Sequence, residues 1–302
     1  MFDELRRQVE SPAEGDMARI IAITNQKGGV GKTTTAINLS ACMATLGRKV
    51  LMVDMDPQGN ATSGVGIERA DISECVYDVI IGGFDPRRVI RPGPIEGMEV
   101  LPSTLDLAAA EIELASEISR ETRLRAGLEP LREDYEYIVI DCPPALGLLT
   151  INSLAAASET LIPIQSEYYA LEGLVYLFGT VQRVKRHVNS GLKISGVLLT
   201  MFDVRTNLSK DVEKEVRREY PRLTMRTVIP RAVRLSEAPA YGKPIILYEP
   251  SSKGALAYME LAKEVVQSGE EGPGQGTGRV DRFGGVEGGT ETRGYTGKGD
   301  KA

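Results

Sequence analysis

Lys27-Gly28-Gly29-Val30-Gly31-Lys32-Thr33-Thr34 is the stretch that decides how this chain folds. An apolar run at 20–24 precedes it. A helical pattern at 33–46 follows and stops at Gly47, a residue suited to a helix C-cap. Strand, glycine-rich turn and helix N-terminus, in that order, make a phosphate cradle. The glycines permit backbone angles that turn successive N–H groups inward around phosphate oxygens. The positive end of the helix dipole adds to them. In such a loop Lys32 is expected to reach β- and γ-phosphates, and the Thr33 hydroxyl to ligate Mg2+. Residues 27–34 are together the expected nucleotide-binding loop.

Outward from this loop the pattern repeats. Short apolar runs at 50–54, 99–101, 137–141, 161–164, 194–200 and 227–229 alternate with helical patterns at 105–118, 168–188, 209–220 and 254–267. Most of the runs are apolar throughout, as in strands buried on both faces of a parallel sheet. This predicts a three-layer α/β P-loop NTPase fold, a mostly parallel twisted sheet flanked by helices, with right-handed crossovers. The predicted domain spans 18–267. Residues 1–17 read as a flexible N-terminal extension, in which Met17 is placed to be an alternative start. Twelve of the 35 residues in 268–302 are Gly, so that tail cannot bury enough surface to offset ordering entropy and is predicted to be disordered.

Two of the runs end in acids. Asp54 and Asp56 stand at i and i+2, so they share a face if the chain stays extended, at the carboxyl edge where ligands of such sheets bind. Asp141 ends another run and is followed by Cys142-Pro143-Pro144, a Walker B arrangement in which the acid holds Mg2+ directly or through water. Cys142 reads as a packing residue. The three cysteines have no CxxC spacing, which argues against disulfides or zinc and fits a reducing cytoplasm. No apolar run approaches the roughly 18 residues of a membrane span, and the polar N-terminus is not a secretory signal. Aromatics are 5% with no Trp, so base-stacking surfaces are not suggested. The net charge of −6 hides an asymmetry: residues 183–234 hold 13 Lys/Arg against 5 Asp/Glu. Such a stretch is either a nucleic-acid footprint or a solvated helical face.

The loop also departs from GxxxxGK[ST]: Gln26 stands where glycine is expected, and a second lysine, Lys27, adjoins it. This KGGxGK[ST] form resembles the deviant Walker A motif of the MinD/ParA ATPases. Over 18–267 the segments VDMDPQGNATSGVGI, IDCPPALGLLTINSL, IPIQSEYYALEGL and TVIPRAVRLSEAPAYGKPIILY resemble the ParA/Soj branch. The resemblance implies a cytoplasmic, nucleoid-associated partitioning ATPase that binds ATP and Mg2+ and forms a homodimer with ATP at its interface. In that dimer Lys27 contacts the partner's nucleotide, Asp56 positions the attacking water, and Asp54 lies near the metal. Arg205 and Arg234 match family positions for non-specific binding of double-stranded DNA, and a ParB-type partner is expected to stimulate hydrolysis. Pro230, at the end of a strand, is where the adenine edge is expected to rest. Alternatives are a nucleotide-gated regulator of replication or sporulation-type gene control, and a MinD-like positioning ATPase. Against the last, the Gly-rich C-terminus has no apolar stripe for gripping membrane. An N-terminal extension of 17 residues is too short for an operator-reading domain.

Overall fold

The computed structural model describes residues 17–167 and 170–270. The expected extension and tail therefore lie almost wholly outside the described residues. Eight strands form one sheet in the order β3-β4-β2-β5-β1-β6-β7-β8. They are β1 (Arg19–Ile23), β2 (Val50–Asp54), β3 (Arg91–Pro92), β4 (Met98–Leu101), β5 (Tyr137–Asp141), β6 (Glu159–Gln165), β7 (Lys193–Phe202) and β8 (Thr224–Pro230). All neighbouring pairs are parallel except β3 with β4. The helices are α1 (Lys32–Thr45), α2 (Asn60–Gly64), α3 (Val76–Ile80), α4 (Pro86–Val89), α5 (Leu107–Glu113), α6 (Arg123–Leu128), α7 (Leu148–Ala156), α8 (Ala170–His187), α9 (Asn207–Glu219), α10 (Val233–Glu237), α11 (Ile245–Tyr248) and α12 (Lys253–Glu270).

The strands alternate their side chains between two cores. Ile21 and Ile23 of β1 enter one cluster with α1 and α12, while Ile20 and Ala22 enter the other with α3, α5, α6 and α7. Burial on both faces is why these strands read as unbroken apolar runs. Helix α1 is itself enclosed, and Thr35 bonds the Tyr258 hydroxyl of α12 at 3.1 Å, a polar pair satisfied inside the core. A third cluster covers β6 and β7 with α8 and α9.

The expected helix at 105–118 is shorter. It runs over α5, tightens into a 3-10 turn at Leu114–Ser116, and ends before Ser119, whose φ is +59°. Ile112 and Ile118 are 79% and 89% exposed, so of the apolar stripe only Leu107 and Leu114 face the core. Strand β3 carries no apolar signal and was not expected. Helix α12 continues three residues beyond the expected end, to Glu270. Because every strand but β3 points the same way, the ends of β1, β2, β5, β6, β7 and β8 share one carboxyl edge.

Candidate active site

The glycine-rich loop joins the carboxyl end of β1 to α1. Gly29 and Gly31 have φ of +74° and +89°, a left-handed region that glycine enters without a Cβ penalty. A Cβ on Gly28 or Gly29 would meet nothing within 4 Å, so the loop borders open space of the kind a phosphate chain fills. Side chains from neighbouring strands fix its shape. Asn25 donates from Nδ2 to the Pro163 carbonyl (2.7 Å) and accepts from the Lys27 amide (3.0 Å). Gln165 Nε2 donates to the Gly29 carbonyl at 2.9 Å, and the Thr200 hydroxyl lies 2.8 Å from that of Val30. Gln165 also reaches the sulfur of Met201, a non-glycine residue at φ +51°. Such backbone strain is found where the surrounding structure over-determines a site.

The two lysines of the loop have opposite settings. Lys32 is buried, and its Nζ donates to the Lys27 carbonyl at 3.2 Å. Burial lowers its pKa, opposed chiefly by the carboxylates of Asp141 and Asp56. Lys27 is half exposed and pairs with Glu167 at 2.7 Å.

Asp54 and Asp141 are direct register neighbours on β2 and β5. Both are fully buried. Asp54 accepts from the Asp56 amide (3.1 Å), the Thr62 amide (2.8 Å) and the Thr62 hydroxyl (2.7 Å). Burial pushes its pKa up to about 6 despite those bonds. Neither Asp141 oxygen has a well-formed hydrogen bond. Its pKa is raised well above the ordinary carboxylate range by burial first and by Asp54 next, with the Thr33 hydroxyl and Lys32 opposing. The expected extended run through both acids of 54–56 stops at Asp54. Asp56 sits in the turn beyond, where it accepts from the Gln58 amide at 2.9 Å and is mostly buried.

Asp141 thus stands among two further carboxylates, Asp54 and Asp56, with the Lys32 ammonium as its positive neighbour. A buried carboxylate with no donor is costly unless a cation meets it. Asp141 beside Thr33 is an oxygen-donor pair that fits a divalent cation such as Mg2+. Among the described residues no three His, Cys, Asp or Glu side chains form a closed metal cage. That matches Mg2+, which takes one or two protein ligands and fills its octahedron with phosphate oxygens and water. Cys142 is buried and its thiol is pushed up to about 12, so it is no nucleophile and fills space.

Two supporting residues carried no signal in the sequence. The Ser103 amide donates to the Thr62 hydroxyl (3.0 Å), and the Ser103 hydroxyl donates to the Asp56 carbonyl (2.8 Å). Together Thr62 and Ser103 fix the acids of 54–56 from behind.

Pro230 ends β8 paired with Phe202, the last residue of β7; Arg205 follows β7, and Arg234 lies on α10 just beyond β8. All three stand at the carboxyl edge that bears the glycine loop. Neither arginine is free: Arg205 pairs with Asp203 at 2.7 Å, and Arg234 with Glu237 at 2.8 Å and Glu249 at 3.7 Å.

A family model described as an AAA domain matches residues 18–194. The sporulation initiation inhibitor protein Soj of Bacillus subtilis (strain 168) is 58% identical over 253 residues, 84% of this chain and 100% of Soj. The chromosome partitioning protein ParA of Myxococcus xanthus (strain DK1622) is 51% identical over 251 residues, 83% of this chain and 89% of that protein. Cobyrinic acid a,c-diamide synthase from Mycobacterium smegmatis, solved with a bound ATP analogue and magnesium, is similar with a TM-score of 0.74 at 36% identity, covering 84% of this chain and 97% of that one.

Proposed function

Because the chain belongs to the Soj/ParA family of chromosome-partitioning ATPases, we propose that ATP closes two copies into a dimer that holds DNA without regard to sequence, and that hydrolysis releases it. The protein is an ATPase, and its cofactors are ATP and Mg2+. One observation carries the reading: the buried Asp141 carboxylate, without a well-formed hydrogen bond, stands beside Lys32 and Thr33 at the open glycine cradle.

The roles follow from the settings. Amides of residues 28–34 and the α1 N-terminus hold the phosphates, and Lys32 supplies a desolvated positive charge. Thr33 and Asp141 hold Mg2+, which when bound neutralises charge that develops on the phosphate oxygens. Asp54, its oxygens occupied by Thr62 and Asp56, acts through charge and by fixing the turn. Asp56 orients water for in-line attack, so its place in a braced turn matters more than its basicity. Lys27, half exposed at the mouth of the loop, is free to exchange Glu167 for the nucleotide of a second copy. Pro230 lies along the adenine edge. Arg205 and Arg234 contact DNA phosphates, with affinity that falls steeply with salt. Two such patches in one dimer bind far better than one by avidity, which ties DNA affinity to ATP. Association with the nucleoid follows, and a ParB-type protein accelerates an otherwise slow turnover.

No helix among the described residues is long and apolar enough to cross a membrane. The similarity to a sporulation initiation inhibitor favours one second reading, in which ATP occupancy gates gene control and hydrolysis only resets it. Sedimentation of Asp56→Ala with ATP or ADP, with and without duplex DNA, tests the first reading. A dimer that forms only with ATP and carries DNA down with it is expected; monomers in saturating ATP refute it. The gating reading expects that same trapped variant to keep its regulatory effect in cells.

A further inference from the structure

The connection from Asp141 to α7 is held at its two ends and, between them, by the Thr150 hydroxyl, which donates to the Ala145 carbonyl at 2.6 Å. Cys142 is anchored by its amide to the Ile23 carbonyl, and beyond it Pro143 and Pro144 have no N–H to donate. Residues 144–146 are exposed. At the far end the first turn of α7 has no cap from its own N-cap residue, Gly147. Glu111 of α5 supplies one instead: its Oε2 accepts from the Leu148 amide at 3.0 Å and its Oε1 from the Leu149 amide at 3.2 Å. A carboxylate there answers both the orphan donors and the positive helix end. The fit is close: a Cβ at Gly147 would run into that carboxylate and push it aside.

The same stretch of chain begins at Ser103. Ser103 bonds the Asp56 carbonyl and, through Thr62, the Asp54 carboxylate. Segment 103–111 therefore grips the Asp54–Asp56 turn at one end and the segment after Asp141 at the other. We infer that Glu111 is a positioning residue for ATP hydrolysis, tying the exposed bend that follows the cation-binding carboxylate to the same segment that holds the water-orienting turn. A change at one acid-bearing loop is then transmitted to the other through α5. This inference rests on the proposed roles of Asp56 and Asp141, but not on dimerisation or DNA.

The glycine loop makes no contact with Glu111 in any of these bonds. Loss of the tether should therefore spare ATP binding and slow the chemical step. In the full-length protein, basal ATPase rates, nucleotide affinity and melting temperature are measured for Glu111→Ala, Glu111→Gln and Gly147→Ala. Misplacement on the ångström scale costs about 10- to 100-fold, so kcat should fall by that order in Glu111→Ala. ATP affinity should stay within about twofold, since cap and cradle are separate, and Tm should drop by only about 5 °C or less. Glu111→Gln keeps one acceptor and should recover part of kcat. Gly147→Ala should mimic Glu111→Ala, and the double variant should be no slower than either alone. Two outcomes overturn the inference: a kcat within about twofold of wild type in Glu111→Ala, or affinity and kcat falling together in all three variants. Asp56→Ala run in parallel separates the readings. If it turns over normally while Glu111→Ala is slow, the role of Asp56 fails and the tether acts through the Asp141 side.

Discussion

Replacing Asp141 by Asn should stabilise the nucleotide-free protein while destroying its response to MgATP. The carboxylate lies at no measurable exposure, has no well-formed hydrogen bond, and faces Asp54 across the β2–β5 register. Asp54 and Asp56 both act on Asp141 against the single ammonium of Lys32, so removing the Asp141 charge brings the cluster nearer to balance. The new amide can donate to Asp54 and accept no worse than the acid did. An unpaired buried ion costs several kcal/mol, and allowing for the lost attraction to Lys32 leaves a gain of about 1–3 kcal/mol. For a domain of this size that is a rise in Tm of about 3–10 °C. The pH dependence has a definite sign. Unfolded carboxylates titrate near ~3.9. In the fold, burial pushes Asp54 up to about 6 and raises Asp141 in the same direction. The folded state thus holds these protons more tightly, so the cost is absent below about pH 4, grows as pH rises, and is full above the folded values. The advantage of Asp141→Asn is therefore largest near about pH 7.5 and shrinks toward about pH 5. Differential scanning fluorimetry in EDTA, then with MgATP, measures both halves. Wild type should gain about 3 kcal/mol at a ligand excess of about 100 Kd, and the variant far less. A variant that melts lower than wild type in EDTA at neutral pH would refute the reasoning, because Asp141 would then be a structural acceptor.

Lys32→Ala should weaken ATP binding by at least about 10- to 100-fold, the worth of a desolvated charged hydrogen bond, as read by titration with a fluorescent ATP analogue. Lys27→Ala removes only an exposed pair worth ~1 kcal/mol or less, so its Tm should match wild type and single subunits should still bind ATP; light scattering should nonetheless find no ATP-dependent dimer. Arg234→Glu sets a third acid beside Glu237 and Glu249, and should abolish DNA retardation in gels while the ATP dimer persists.

The nucleotide half of this molecule was legible because its rules are local. Glycine is demanded where φ is positive, an acid ends two of the apolar runs at the carboxyl edge, and strands buried on both sides leave unbroken apolar runs. Strand β3 escaped because an edge pair of Arg91 and Pro92 has no buried face to leave a pattern. The helix at 105–118 was overdrawn because exposed Ile112 and Ile118 counted as a stripe. Thr62, Ser103 and Glu111 could not be read at all. Their bonds join residues that only the sheet order brings together, and hydroxyls or a glutamate in a loop or short helix are the commonest of surface features. The turn between Asp54 and Asp56 was misjudged for a simpler reason: an Asp side chain that accepts an amide two residues on bends the chain out of the strand.

The basic stretch shows how far a charge count can mislead and what it leaves standing. Thirteen cations against five acids suggest an open positive face, yet five of those cations are paired, two of them with acids from outside the stretch. Arg217 pairs with Glu213, Arg218 with Glu215, Arg226 with Glu264, and Arg205 and Arg234 with Asp203 and Glu237. On the proposed reading a DNA phosphate must displace these carboxylates, so each contact contributes only a difference between two ion pairs, which is small in water. One protomer would then hold DNA weakly at physiological salt. Joining two makes the second engagement intramolecular, and modest contacts then suffice. Paired arginines are in this sense what a switch requires: were the patch bare, a single subunit would hold DNA with or without ATP, and hydrolysis would release nothing.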